Sequence, residues 1–375
     1  MSEVYTWEPS NAAIAARYGL DPADILRFDT NTSPQAPSFA AGILGGSFDP
    51  PLNEYPDSAY GGLAAAAAAY LAAPSEEIIV GAGADELLDL AAKAFLTSGG
   101  AALLPVPTYG MYGVLTSQRG ARLTAVPRRG PEEGFALDRE AIIARLPDVQ
   151  LVWLCDPNNP TGRSEDPATL EAILDAAARL GSQGPLILVD EAYHEFAGTS
   201  VAGWRDRYER LLVLRTLSKA FGLAGVRVGY GVAARPTIAR LERVRPPGSV
   251  STISATLGAA ALARPELALA NVARLVEERE RLAAGLAACG WQPYPSVTNF
   301  LLVRVGDGSV AAAEAAADGL LRAGIVPRTF GPANPLRGHL RLTVRDPASD
   351  DRLLAALAAL AGLPTVAGRA GQGRP

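Results

Sequence analysis

Between about residues 60 and 240, short β-branched apolar runs alternate with Ala- and Leu-rich helical patterns, and this alternation constrains the fold more than any other feature of the chain. The candidate strands are Ile78–Val80, Ala101–Pro105, Arg122–Val126, Leu151–Leu154, Leu186–Val189, Leu211–Leu214 and Val226–Val232. Between most of them lie amphipathic stretches such as Asp85–Leu96, Pro167–Leu180 and Ala220–Leu223. Alternation of this kind predicts an α/β fold, with a mainly parallel sheet covered by helices on both faces. Ligands of such sheets sit beyond the carboxyl ends of the strands, so the residues that follow each strand are the candidates for function.

The pattern changes near Pro246-Pro247-Gly248. Beyond it come a long charged helix (Asn271–Ala288), an apolar strand (Phe300–Val305), an Ala-rich helix (Val310–Ala323), a strand (His339–Val344) and a closing helix (Ser349–Leu360). This order predicts a smaller α+β domain over 246–363, after a large domain over 46–245 and an N-terminal segment over 1–45. The Gly- and Arg-rich residues 364–375 read as a frayed tail. The six alanines Ala64–Ala69 read as plain helix, since alanine is the best helix former.

Composition narrows the function classes. A net charge of −5 gives no electrostatic case for nucleic acid or an anionic membrane. The longest apolar run, Leu63–Ala73, stops at Pro74, well short of the ~18–20 residues that span a bilayer. Only Cys155 and Cys289 are cysteines, which excludes a disulfide scaffold and fits a reducing cytosol, and no apolar signal segment opens the chain. Two histidines, His194 and His339, cannot build a three-histidine metal centre, and no metal is expected.

Lysine is the informative residue. It occurs only at Lys93 and Lys219, against 32 arginines. Arginine does not give up its proton in proteins, whereas a lysine amine can be neutral and nucleophilic. Each surviving lysine is therefore a candidate for amine chemistry, or else a chance leftover. Lys93 falls inside the helix after a glycine loop and reads as a solvated helix residue.

Four strand ends carry polar residues. Gly81-Ala82-Gly83-Ala84-Asp85-Glu86 opens a helix whose N–H groups suit a phosphate, or forms an ordinary tight turn; with Glu86 at the third position it is a poor dinucleotide signal. Asp156-Pro157-Asn158-Asn159-Pro160-Thr161-Gly162 is a rigid loop that presents an amide, or a turn capped by it. Asp190 and, three positions on, Tyr193 follow the fifth run; His194 beside them reads as a solvent or backbone contact, and Cys155 as buried packing. Arg215-Thr216-Leu217-Ser218-Lys219 puts the scarce lysine beside two hydroxyls, with Arg227 eight residues on. Hydroxyls and arginine suit a phosphate, a lysine between them suits a Schiff base, and an Asp at a strand end suits a ring nitrogen; pyridoxal phosphate satisfies all three.

With these residues in view, the chain resembles the fold-type I pyridoxal-phosphate aminotransferases of class I/II, most closely the histidinol-phosphate aminotransferase family. The resemblance spans roughly residues 28–360 and rests on SKAFGLAGVRVGY (Ser218–Tyr230), DEAYHEF (Asp190–Phe196) and DPNNPTG (Asp156–Gly162). GAGADE, PTYGMY (Pro107–Tyr112) and HLRLTV (His339–Val344) support it. It implies a large domain with a mainly parallel seven-stranded sheet flanked by helices, plus a smaller α+β domain. It also implies that Lys219 forms the internal aldimine and shuttles the substrate proton, that Asp190 pairs with the pyridinium nitrogen, and that Tyr193 and Asn159 bind the ring oxygen. Tyr109 is implied to stack on the ring, and the backbone of Ala84 and Asp85, the hydroxyls of Thr216 and Ser218, and Arg227 to hold the phosphate. Tyr55, in LNEYPD, resembles the tyrosine lent to a neighbouring subunit's phosphate, which implies a homodimer with shared active sites. Arg341 and Arg328 (in GIVPRTF) match arginines that grip the anionic end of the substrate, and Asn31 begins the segment that closes over it.

The segment Asn31-Thr32-Ser33-Pro34-Gln35 lacks the glutamate and tyrosine common in that family, and Pro246-Pro247-Gly248-Ser249 has glycine where an aromatic often follows. Both departures fall on the substrate side. The expected activity is ping-pong transamination between histidinol phosphate and 2-oxoglutarate in the cytoplasm. Threonine-phosphate decarboxylase and aromatic-amino-acid aminotransferase stand as alternatives on the same scaffold. A nicotinamide-dependent oxidoreductase and a non-catalytic cofactor binder are the rivals from other classes.

Overall fold

The computed structural model describes residues 7–361. The two-residue strand β1 (Leu26–Arg27) precedes seven strands that form one sheet: β2 (Ile78–Gly81), β3 (Ala101–Val106), β4 (Arg122–Pro127), β5 (Leu151–Cys155), β6 (Leu186–Asp190), β7 (Leu211–Thr216) and β8 (Gly229–Ala233). Their order is β2-β8-β7-β6-β5-β3-β4, and only β8 runs antiparallel to its neighbours. The central strands β5, β6 and β7 are buried along their whole length, as a sheet with both faces covered requires.

Strand parity sorts their side chains into two cores. Val152, Leu154, Ile187, Val189, Leu211 and Val213 enter the larger core, whereas Leu151, Trp153, Cys155, Leu186, Leu188, Leu212 and Leu214 face the other. That second core is closed by the helices Gly83–Phe95 and Met111–Gln118 through Leu87, Leu88, Leu90, Tyr112 and Leu115. Asp190 and Thr216, the last residues of β6 and β7, continue this second parity beyond the apolar rows.

The smaller unit is an antiparallel sheet of β9 (Gln292–Pro293), β10 (Phe300–Arg304) and β12 (His339–Thr343), and β11 (Ile325–Val326) pairs in parallel with β1. The N-terminal segment is thereby fastened to the C-terminal part of the chain. Helix Thr252–Leu262 packs on helix Gly61–Leu71, where Gly258 lies against Leu63, Val228 and Leu217.

Three expected elements differ. The run Val226–Val232 becomes strand only at Gly229, because Ala224–Val226 is a 3-10 turn and Arg227 adopts a left-handed backbone (φ 56°). Ala220–Leu223 is a turn and no helix. The long helix starts at Pro265, with proline in its first turn, six residues before Asn271. The tail 364–375 lies outside the described residues.

Candidate active site

The carboxyl ends of β5, β6 and β7 open into a cavity of about 470 Å³ between the large sheet and the smaller unit. It is lined by thirteen of the fourteen residues named from the sequence: Lys219, Asp190 and Tyr193; Ala84, Asp85, Tyr109, Asn159, Thr216, Ser218 and Arg227; and Asn31, Arg328 and Arg341. Tyr55 is the exception, 91% exposed and outside this lining.

Lys219 leaves β7 on a tight turn and donates from Nζ to the carbonyl oxygen of Thr30 at 3.3 Å. Burial pushes its amine down to about 8, and the nearby Arg341 and Arg227 push the same way, against Asp85 and Asp190. The other lysine, Lys93, sits on the outer face of its helix and pairs with Asp89 at 2.6 Å.

Asp190 is buried at the end of β6. Its Oδ2 accepts from the Tyr112 hydroxyl at 2.7 Å and its Oδ1 from the Ala192 N–H at 3.1 Å. Burial raises its carboxyl to about 6, while those two hydrogen bonds and Lys219 oppose the rise. Tyr193 is buried edge-on to Phe300, and its hydroxyl accepts from the Asn31 amide at 2.9 Å. Asn31 is itself locked by Thr343, whose hydroxyl accepts from its backbone N–H at 2.9 Å.

A polar string borders the other side. Tyr109 donates to Asp85 Oδ1 at 3.1 Å, Asp85 Oδ2 accepts from Arg227 at 3.3 Å, and Arg227 reaches the Ser218 hydroxyl at 3.4 Å. Thr216 donates to Ser218 at 2.9 Å. The N-terminus of helix Gly83–Phe95 faces this string, so the N–H groups of its first turn join a guanidinium and two hydroxyls. A side chain at Gly83 (φ 81°) would strike the Arg227 guanidinium, so glycine is what lets the loop and the arginine share this space. Such a donor set fits a phosphate, and the buried amine and acid beside it fit an aldehyde and a ring nitrogen.

Arg341 on β12 and Arg328 are bridged backbone to backbone, each N–H donating to the other's carbonyl at 3.0 Å. Both of these cationic side chains line the cavity. Arg328 lies 3.8 Å from Glu8, whose carboxylate also accepts from Thr329 N and Oγ1 at 3.0 and 2.8 Å.

Compared with known proteins, residues 40–357 match the family model described as aminotransferase class I and II. The chain belongs to the class I and II aminotransferase family. A histidinol-phosphate aminotransferase of Roseiflexus castenholzii is 39% identical to this aminotransferase over 360 residues, covering 94% of each chain. One from Xanthomonas campestris is 38% identical over 318 residues, covering 82% of this chain and 85% of the relative. Among solved structures, the histidinol-phosphate aminotransferase of Sinorhizobium meliloti, in complex with pyridoxal 5′-phosphate, superposes with a TM-score of 0.83 at 28% identity, over 95% of both chains. An L-threonine-O-3-phosphate decarboxylase of Porphyromonas gingivalis shares the fold at 20% identity, with a TM-score of 0.75 over 90% of this chain and 99% of that one. The fold-type I architecture implied by the motifs is thus the fold of this aminotransferase.

Several lining or supporting residues of the aminotransferase escaped the sequence reading. Trp7, 74% exposed, stands at the cavity mouth beside Glu8. Asp29 and Thr30 border the lysine, and Asp29 accepts two hydrogen bonds from Arg27 at 2.8 and 2.6 Å. Tyr112 lies inside the PTYGMY motif, but Tyr109 precedes the helix that begins at Met111, so no helical spacing links the two tyrosines and the contact with Asp190 has no local signal. Cys155 is the buried packing residue expected, with its thiol pushed up to about 12 by burial. His194 Nδ1 contacts the Thr199 carbonyl at 2.7 Å.

Proposed function

We propose that this aminotransferase uses pyridoxal phosphate to move the amino group of histidinol phosphate to 2-oxoglutarate. The observation that carries the reading is the meeting, in one cavity, of a scarce lysine with a lowered amine pKa, a buried strand-end aspartate and a phosphate-type cradle. The substrate follows from the curated relatives, several of which are histidinol-phosphate aminotransferases at 34–39% identity over most of the chain. Paired Arg328 and Arg341 suit the phosphate or carboxylate end of such a partner.

When bound, pyridoxal phosphate supplies an aldehyde that condenses with amines and a ring that takes up the electrons released as the α-proton leaves. Lys219 would hold the aldehyde, and its amine would be the group placed to carry the proton of the substrate's α-carbon. Asp190 keeps the ring nitrogen protonated. The Tyr193 hydroxyl and the Asn159 amide would hold the ring oxygen, and Tyr109 would pack against the ring. Ala84 and Asp85 N–H, Thr216, Ser218 and Arg227 hold the phosphate. Asn31, fixed against Tyr193, closes the cofactor side from the N-terminal segment. Tyr55, exposed in one protomer, reaches the partner's phosphate in a homodimer with shared sites, and the protein works in the cytoplasm.

The test mixes holoenzyme with histidinol phosphate and 2-oxoglutarate and follows glutamate formation, with phenylalanine and O-phosphothreonine as competing donors. Glutamate formed fastest from histidinol phosphate is the expected result. A preference for phenylalanine would overturn the substrate, and carbon dioxide released from phosphothreonine would overturn the reaction.

A further inference from the structure

Tyr112 does not line the cavity, yet its hydroxyl is, among the described residues, one of two groups that donate to the Asp190 carboxylate. Helix Met111–Gln118 packs on the sheet face to which Asp190 belongs by strand parity, so the contact follows from how the second core is built. The ring is held from both sides. It stacks on Trp153 at 5.4 Å and 16°, and it meets Tyr109 edge-on at 5.6 Å and 87°. Trp153 is pinned in turn, its Nε1–H donating at 3.0 Å to Thr116, whose hydroxyl donates at 2.7 Å to the Tyr112 carbonyl. A ring fixed this firmly delivers its hydroxyl to one place.

We infer that Tyr112 is a positioning residue for the cofactor: its hydroxyl orients the Asp190 carboxylate and keeps it a hydrogen-bond acceptor, while its ring sets the pose of Tyr109. The inference rests on the reading of Asp190 as the partner of the cofactor's ring nitrogen. Burial holds the Tyr112 phenol far above its ordinary range, so at every working pH it only donates. A permanent donor favours the ionised carboxylate, which is the form that retains a protonated ring nitrogen. The other titratable groups that act on Asp190 are Cys155 from β5, Asp85 from helix Gly83–Phe95, Tyr193 beyond β6 and Lys219 beyond β7. Asp85 raises its pKa and Lys219 lowers it.

The experiment titrates apoprotein with pyridoxal phosphate and reads affinity from absorbance and tryptophan fluorescence between pH 5.5 and 8.5. Wild type, Tyr112→Phe, Asp190→Asn and the double variant are compared. Phenylalanine keeps the stacking and edge contacts and removes only the hydroxyl. At pH 8.5 Y112F is expected to bind within about threefold of wild type, whereas at pH 5.5 it binds about tenfold more weakly, because the titration of Asp190 moves up by about one unit. In the D190N background, Y112F is expected to add less than about twofold. A Y112F profile that overlays wild type overturns the inference. So does an equal penalty at both pH values and in both backgrounds, which would assign the hydroxyl to packing, or an apoprotein that no longer folds. If D190N itself leaves affinity intact, the role given to Asp190 falls first, and the two failures are told apart.

Discussion

The guanidinium of Arg341 donates to the side-chain oxygen of Asn159 at 2.7 Å, across 182 residues of sequence, and its other terminal nitrogen donates to the carbonyl oxygen of Asp29. One side chain thereby joins the smaller unit, the loop after β5 and the N-terminal segment. Guanidinium only donates, so the Asn159 atom turned to it is the oxygen, and the amide nitrogen is the atom left for a ligand.

Replacing Arg341 separates its two tasks. Loss of a charge-assisted contact of ~1.5–3 kcal/mol raises KM for histidinol phosphate about 10- to 100-fold in Arg341→Ala. The pyridoxal-phosphate affinity changes by about threefold or less, since Asn159 is one of several ring contacts in the proposed reading. Steady-state kinetics beside a cofactor titration check this. An affinity that falls as far as KM rises would mean that Arg341 acts mainly by holding Asn159.

Gly229 begins β8 directly beneath the phosphate-side loop. A Cβ there would lie 2.5 Å from the Gly83 carbonyl carbon and 2.6 Å from Ala84 N, both backbone atoms that no rotamer change can move aside. Gly229→Ala is therefore expected to displace the start of helix Gly83–Phe95. Affinity for pyridoxal phosphate falls at least about tenfold, and thermal stability falls by ~1–3 kcal/mol, as for other overpacked sites. Equilibrium binding and a melting curve measure the two effects. Unchanged binding would show that the loop N–H groups do not hold the phosphate.

The lysine offers a kinetic test. A neutral amine attacks an aldehyde, and an amine near 8 is neutral in a fraction that falls tenfold for each pH unit below that value. Uptake of pyridoxal phosphate by apoprotein should accelerate about tenfold per unit between pH 6 and 7.5 and level off above about 8, followed by stopped-flow absorbance. An ordinary lysine, near ~10.4, would still be accelerating at pH 9.5. Borohydride should then fix the label on Lys219, with Lys93, ion-paired to Asp89, unlabelled.

Most of this was legible because the chemistry is carried at strand ends. Apolar runs such as Leu186–Val189 and Leu211–Leu214 declare buried strands, and Asp190 and Thr216 are simply the residues that follow. Short motifs also keep Lys219, Ser218 and Arg227 together. What stayed hidden depends on distant contacts: Tyr112 and Asp190 are 78 residues apart, and Glu8 meets Thr329 across 321. Val226 and Val228 look β-forming, but Arg227 between them turns left-handed, which delays β8. Tyr55 shows the opposite limit, a residue named for the site that lies exposed outside its lining.

Buried acids set the last expectation. Burial raises the carboxyls of Asp156 and Asp190 to about 6 and that of Glu195 to about 7, and pushes Asp350 well above the usual carboxylate range, with Glu278 acting the same way. Their unfolded values lie near ~4. Above that pH the folded chain holds protons that the unfolded chain has released, so stability is fullest below about 4 from these groups and declines as pH rises through their folded values. Apoprotein melting temperature should therefore fall from pH 5.5 to 8.5. Asp350 is the clearest single contributor. It is buried at the start of helix Pro347–Ala361 and accepts from the Arg345 N–H at 3.2 Å, while Glu278, across on helix Pro265–Ala288, is paired with Arg281 at 2.6 Å. Asp350→Asn keeps an acceptor for that N–H, supplies a donor towards Glu278 and carries no proton to lose. Its melting temperature at pH 8.5 should exceed that of wild type by about 1–3 °C, and the gap should narrow towards pH 5.5, where Asp350 keeps its proton in the folded chain and is ionised only in the unfolded one. An equal loss at both pH values would mean that Asp350 works as an ionised acceptor.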